Sequence, residues 1–305
     1  MFKFRCIIGA IALLAFAAYS HATPTTELQF DKFWRSIQAL DSENISRHER
    51  AARASSIYQE QISDQQNIKS WEKKTVSELE LLFRAAYILV TNTQNHEHIK
   101  DMNGLLSEME KRGSVRKIFY TNLFKALVLT RSFEEARQLQ ADQPKVNFGK
   151  LPSFRDSPAL NQQSPTVWNV DLQKNEYLRQ NMQLRGNHII VVSHPSCNFS
   201  WKALSAIHAD PVLSPLFFNK TTTWLLPQSE NIELETIRLL NSNFPEINAK
   251  IVVYEAEWSQ LDTWATPTFY FLKDGVMVAK VVGWPEGGNR EKIVAALKKV
   301  TDWLP

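Results

Sequence analysis

The residues in this sequence best placed to do chemistry are Cys197 and its neighbours in Ser193-His-Pro-Ser-Cys-Asn-Phe-Ser200. Before them runs Ile189 to Val192, apolar and β-branched, of the type expected for a strand buried on both faces. After them comes a helical pattern in which Leu204 and Ile207 share a stripe. The cysteine therefore falls where a strand ends and a helix begins. A helix start offers unpaired backbone N–H groups and a partial positive charge, and both favour thiolate over thiol. The thiolate is the form that attacks disulfides and metals. Ser200, three residues on, could hydrogen-bond that thiolate, although a serine in a first turn also serves as plain capping chemistry. His194, if protonated close by, could raise the thiolate population, although a loop histidine satisfied by its surroundings is the plainer use. The bland alternative for Cys197 itself is a small buried hydrophobe with no reactivity.

Residues Met1 to Ala22 carry Lys3 and Arg5, then an apolar run from Ile7 to Ala18, then Ser20-His-Ala22 with small residues at a cleavage site. This reads as a secretory signal peptide over 1–22, and the run is short against the roughly 20 apolar residues of a membrane span. The expected location is the periplasm or the exterior, with no stable membrane span after cleavage. The chain has two cysteines, and Cys6 would leave with the leader. Cys197 would then be alone, with no intrachain disulfide open to it in a compartment where cysteines usually pair. The formal net charge is +3, and loss of Lys3 and Arg5 brings it close to neutral. Such a balance argues for neither nucleic acid nor an anionic surface as partner.

Two domains fit the 305 residues and 44% hydrophobic content. Residues 23–140 read as an all-α domain. Glu27–Leu40, Ser46–Gln61, Val76–Val90, His98–Lys111, Arg116–Thr130 and Phe133–Gln140 have helical apolar spacing, and there is no proline from Glu27 to Gln140. Leu82-Phe-Arg-Ala85 is echoed by Leu123-Phe-Lys-Ala126, which weakly resembles helix pairs of the tetratricopeptide type, without that family's repeat length or consensus. Residues 141–165, with Pro144, Pro152, Pro158 and Pro165, read as an irregular linker. From 166 to 305 strands and helices alternate. The expected strands are Thr166–Asp171, His188–Ser193, Thr221–Pro227 and Ala249–Glu255. A final pair, Thr268–Leu272 and Val276–Gly283, is joined by Asp274-Gly275, a strong hairpin signal. The expected helices are Gln173–Gln183, Asn198–Ala209, Glu230–Asn243 and Asn289–Val300. This order predicts a mixed sheet with helices on both faces.

The element order, the cysteine after the second strand, and Ala265-Thr-Pro-Thr-Phe-Tyr-Phe271 leading into the hairpin together resemble the thioredoxin fold. The expected class is thus an α/β thioredoxin-like C-terminal domain preceded by an all-α helical domain. The resemblance implies a cis peptide at Pro267 lying against Cys197, with the backbone of Thr266 open to an incoming peptide. A threonine before that proline is similar to bacterial periplasmic disulfide isomerases. Gly283 fits the family, and Glu230–Glu255 looks like an insertion of the kind seen in exported members. Two departures stand out: Ser200 replaces the second cysteine, and Ser196 replaces a tryptophan. Without a resolving thiol, an internal dithiol cycle is excluded, while a monothiol can still form mixed disulfides.

The resemblance implies Cys197 as nucleophile with Ser200 as its polar neighbour, and Thr266, Pro267 and His194 facing substrate, with no cofactor. The implied partners are cysteine-containing exported proteins or a small thiol reductant, together with a protein partner on the helical domain. Two other function classes stay open. One is a non-catalytic binding module in an exported assembly; the other is a thiol peroxidase, although that family has threonine where this chain has His194. Trp201, Trp258, Trp264 and Trp284 could rim a peptide groove, although packing is the commoner use of tryptophan. His96 and His98 would face different sides of a helix and make no metal site. Asn198-Phe-Ser and Asn219-Lys-Thr match a glycan acceptor pattern, but a glycan on Asn198 would cover the cysteine.

Overall fold

Thr25, Ser46, Asn67 and Thr75 each stand just ahead of a helix, and each side chain accepts a hydrogen bond from a first-turn N–H. At Thr75 the exchange is reciprocal, because Glu78 reaches back to the Thr75 N–H at 2.8 Å. The computed structural model describes residues 25–43, 45–161 and 163–300, so the leader expected over 1–22 lies outside the described residues. The helices of the first half are α1 (Thr26–Ala39), α2 (Arg47–Gln61), α3 (Ile68–Trp71), α4 (Val76–Thr93), α5 (Ile99–Lys111), α6 (Lys117–Leu129) and α7 (Phe133–Asp142). Helix α4 buries Leu79, Leu82, Phe83, Ala85, Ala86, Leu89 and Val90, a broad apolar face that meets α1, α2, α5 and α6. Gly104 on α5 lets Trp71 approach: a Cβ there would lie 2.5 Å from the indole ring.

The second half is an eight-stranded mixed sheet in the order β1-β3-β2-β6-β5-β4-β7-β8. The strands are β1 (Ser153–Asp156), β2 (Thr166–Asp171), β3 (Glu176–Asn181), β4 (Asn187–Val192), β5 (Thr222–Leu226), β6 (Ala249–Val252), β7 (Thr268–Lys273) and β8 (Val276–Val282). Helices α8 (Asn198–Ala209), α9 (Ser214–Phe217), α10 (Leu234–Asn243) and α11 (Arg290–Val300) connect or cover them. β4, β5 and β6 run parallel, and β7 and β8 form the expected hairpin across Asp274 and Gly275, both at positive φ. The α10–β6 unit adds a strand that pairs with β5 on one side and β2 on the other.

Two expectations need correction. Gln173–Gln183 is not a helix but holds β3, antiparallel to β2. Its residues are good helix formers, yet Asp171 Oδ1 accepts the N–H groups of Gln173 and Lys174 at 3.0 Å, and Asn175 takes φ 53. That Asx turn reverses the chain before a helix can start. The linker is also partly regular, since β1 pairs parallel with β3 at the sheet edge.

Alternation along β4 sends Ile189 and Val191 into one hydrophobic cluster and Ile190 and Val192 into another, so both faces are covered as the apolar run requires. The first cluster is continuous with the core of the helical half. Phe133 of α7 stacks on Phe154 of β1 at 3.5 Å, with Trp168 and Tyr177 against them. Polar ties cross the same boundary. Arg131, in the α6–α7 turn at φ 63, donates from Nε to the Val253 carbonyl and from Nη2 to that of Val252, both at 2.9 Å. Its Nη1 donates to the Ser229 carbonyl at 3.3 Å. Gln228 answers from the sheet side, donating to the Leu129 carbonyl at the end of α6 at 2.6 Å. Tyr87 and Lys125 both bind the Glu230 carboxylate, at 2.5 and 2.8 Å. Burial pushes Arg131 down to about 10, which leaves it charged at neutral pH.

Arg131→Met keeps much of the packing volume but strands those carbonyls, so it should destabilise the chain by about 3 kcal/mol. The check is the urea midpoint at unchanged slope; no shift would mean that the guanidinium contacts contribute nothing net.

Candidate functional site

β4 ends at Val192, inside the sheet between β5 and β7, and α8 begins at Asn198. The chain between them makes a turn in which the Cys197 N–H donates to the His194 carbonyl at 2.9 Å. Cys197 becomes the N-cap residue of α8, with extended backbone at φ −88 and ψ 115. Sγ donates to the Thr266 carbonyl at 3.3 Å. The Thr266–Pro267 peptide is cis, as the resemblance implies, and Cys197, Thr266 and Pro267 come together at one end of the sheet.

The thiol is half-buried. Burial pushes its pKa up, but hydrogen bonding by the Thr266 side chain, by the N–H and hydroxyl of Ser200 and by the Phe199 N–H outweighs this and brings it below the ordinary value. Ser200, only 2% exposed, does more than touch the sulfur. Its Oγ accepts the His194 N–H at 3.3 Å and so ties the loop to the helix. Phe199 lies between them in the chain and is 55% exposed, giving the thiol an apolar neighbour at the surface.

His194 turns one ring nitrogen toward its own loop and the other toward α10. Nδ1 lies 2.6 Å from Ser196 Oγ and accepts the Ser196 N–H at 3.2 Å. Nε2 lies 3.4 Å from Glu233 Oε1. Glu233 is 3% exposed, and Ser229 Oγ donates to the same carboxylate oxygen at 2.9 Å. Burial pushes Glu233 up, yet the bonds from His194, Thr236 and Ser229 and the charge of His194 prevail and hold it below the ordinary carboxylate value. Sequence reasoning missed Glu233. It lies 39 residues from His194 in a stretch read as plain helix, and no motif joins the two.

Of the four tryptophans that could rim a groove, Trp258 and Trp284 are buried in the core, Trp264 packs edge-on against Trp258, and Trp201 lies against Phe244. His96 pairs with Glu135, while the His98 ring lies against Tyr58. Among the described residues no three His, Cys, Asp or Glu side chains gather as a metal site, and no helix is long and apolar enough to cross a membrane.

The strand order around β5-β4-β7-β8, the cysteine at the start of α8 and the cis-proline beside it make the second half thioredoxin-like, preceded by an all-helical first half. No family model and no curated protein matches the chain. Among solved structures, the chain is similar to a thioredoxin-like protein from Bacteroides caccae at 13% identity and TM-score 0.31, over 97% of this chain and 99% of that one. It is also similar to a candidate thioredoxin from Neisseria meningitidis at 19% identity and TM-score 0.31, over 44% of this chain and 89% of that one. At such values neither carries an argument, and the class rests on the geometry above.

The lowered thiol pKa has a direct readout. Alkylation of Cys197 by iodoacetamide should titrate below about 8.5 in the folded chain and return to that value in urea. A folded-state midpoint at or above the unfolded one would show that the hydrogen bonds around Sγ do not outweigh burial.

Proposed function

We propose that the protein is an exported monothiol thiol-disulfide oxidoreductase or isomerase that works through Cys197. The observation that carries this reading is the thiol itself, half-buried at a helix start, beside Thr266 and with its pKa held down. In the reaction the Cys197 thiolate attacks one sulfur of a substrate disulfide. An S–S bond forms to Cys197, and the other substrate sulfur leaves as a thiolate that takes a proton from water. A second thiol then attacks the mixed disulfide and frees Cys197. If that thiol is a substrate cysteine the outcome is isomerisation. If it is a small thiol, the substrate keeps it as a mixed disulfide until a second small thiol attacks, so that the two small thiols leave as their own disulfide and the substrate gains two electrons.

In this reading Ser200 is the polar neighbour that favours thiolate but cannot resolve the adduct, while the backbone of Thr266, ahead of Pro267, pairs with the substrate chain. His194 flanks the docking surface. Export to the periplasm or exterior rests on the leader-like 1–22. The helical half would hold a partner protein, in keeping with exposed Leu28, Ile68 and Ile118 on its surface. A non-catalytic module in an exported assembly is the competing reading, favoured by the serine at 200.

The test is trapping. Wild-type chain offered a disulfide-containing peptide should accumulate a mixed disulfide at Cys197, and Ser200→Cys should shorten its life and yield an internal disulfide. Cys197→Ser should abolish capture with the fold intact. If wild type forms no adduct, and Cys197→Ser still binds its partner, the module reading replaces this one.

A further inference from the structure

The buried carboxylate of Glu233 is not part of the thioredoxin-like core, yet it faces the loop that carries the thiol. It stands at the foot of α10, in the added helix-strand unit. The segment leading to it is clamped by the helical half: Gln228 donates to the Leu129 carbonyl, Arg131 to that of Ser229, and Tyr87 and Lys125 hold Glu230. The place of Glu233 is thus set from outside the sheet.

At the other end of the contact, Nδ1 of His194 accepts a backbone N–H from Ser196. A neutral imidazole has one donor and one acceptor nitrogen, so its proton sits on Nε2 and points at Glu233 Oε1, 3.4 Å away. A ring that gains a second proton finds its counter-charge in that carboxylate. Ser196, hydrogen-bonded to the ring, immediately precedes Cys197.

We infer that Glu233 is a positioning residue for the thiol site: it fixes the tautomer and orientation of His194, and through that ring it favours the thiolate of Cys197. The inference rests on the reading of Cys197 as a reactive thiol. Several other groups face the pair. Arg131 approaches Glu233 from the α6–α7 turn, and Tyr177 approaches it from β3. Ser229 and Thr236 meet it from its own side, and Ser196 and Ser200 meet His194 from the thiol loop and α8.

The sign of the effect separates this role from a simpler one. A buried negative charge acting on the sulfur directly repels the thiolate, so removing it would speed alkylation near neutral pH. A carboxylate acting through His194 does the reverse. The experiment is the pH–rate profile of Cys197 alkylation by iodoacetamide in the full chain, for wild type, Glu233→Gln, His194→Asn and the double variant. Glu233→Gln should slow the reaction at pH 7 by about threefold to tenfold, a shift of up to about one pH unit in the profile. His194→Asn should do the same, and the double variant no more than either, because the two act as one unit. A rate that is unchanged or raised in Glu233→Gln, or additive losses in the double variant, overturns the inference. Should Glu233→Gln fail to fold, the ring ¹⁵N shifts of His194 in wild type decide: an Nε2–H tautomer supports the arrangement and an Nδ1–H tautomer overturns it. If Cys197 is unreactive in every chain but the tautomer is Nε2–H, the thiol reading fails while the Glu233–His194 pairing stands.

Discussion

Three of the hydrogen bonds that tie the two halves of this protein together come from one guanidinium. Arg131 leaves a left-handed turn between two helices and spends its donors on the carbonyls of Val252, Val253 and Ser229. Those carbonyls lie at the end of β6 and in the loop after β5, where the ladder no longer supplies partners. β6 is only Ala249–Val252, yet it is the strand that joins the β2–β3 hairpin to the parallel strands. Unmet carbonyls at its end would be costly in a buried place. A fixed geometry there also fixes the segment from Gln228 to Glu233, and with it the partner of His194. The path from the helices to the thiol loop is therefore a short chain of hydrogen bonds.

Much of the second half was legible in the sequence because its signals are local. The β-branched run before Cys197, the Asp-Gly turn and the Asn198–Ala209 stripe each settle their own element, and the structure keeps β2 and α8 at the expected limits. The Gln173–Gln183 stretch failed because its composition favours a helix while a turn of two side chains, Asp171 and Asn175, decides otherwise. β1 was hidden among prolines, since its strand character comes from pairing with β3 and from the ring of Phe133. Cys197, Thr266 and Pro267 could be brought together in advance only through a family resemblance. Glu233 and Arg131 could not be found at all, because contacts 39 and more than 100 residues apart leave no periodic trace.

The replacement of a second cysteine by Ser200 changes what that position does. A buried hydroxyl that accepts the His194 N–H braces the loop and at the same time lowers the thiol pKa. A structural and an electrostatic duty fall on one atom. The same economy appears at Gln228, whose amide donates to the end of α6 while its carbonyl oxygen accepts the Glu255 N–H at 2.9 Å.

The bond from Sγ to the Thr266 carbonyl has a polarity that depends on the proton. As a thiol, sulfur is the donor and the carbonyl is satisfied from within. As a thiolate, sulfur becomes an acceptor, and two acceptors then face each other 3.3 Å apart. Ionisation thus takes from the Thr266 carbonyl the donor it had, and leaves that oxygen open to an N–H from outside. The half-buried sulfur advertises its own readiness through the hydrogen-bond demand of the carbonyl beside it.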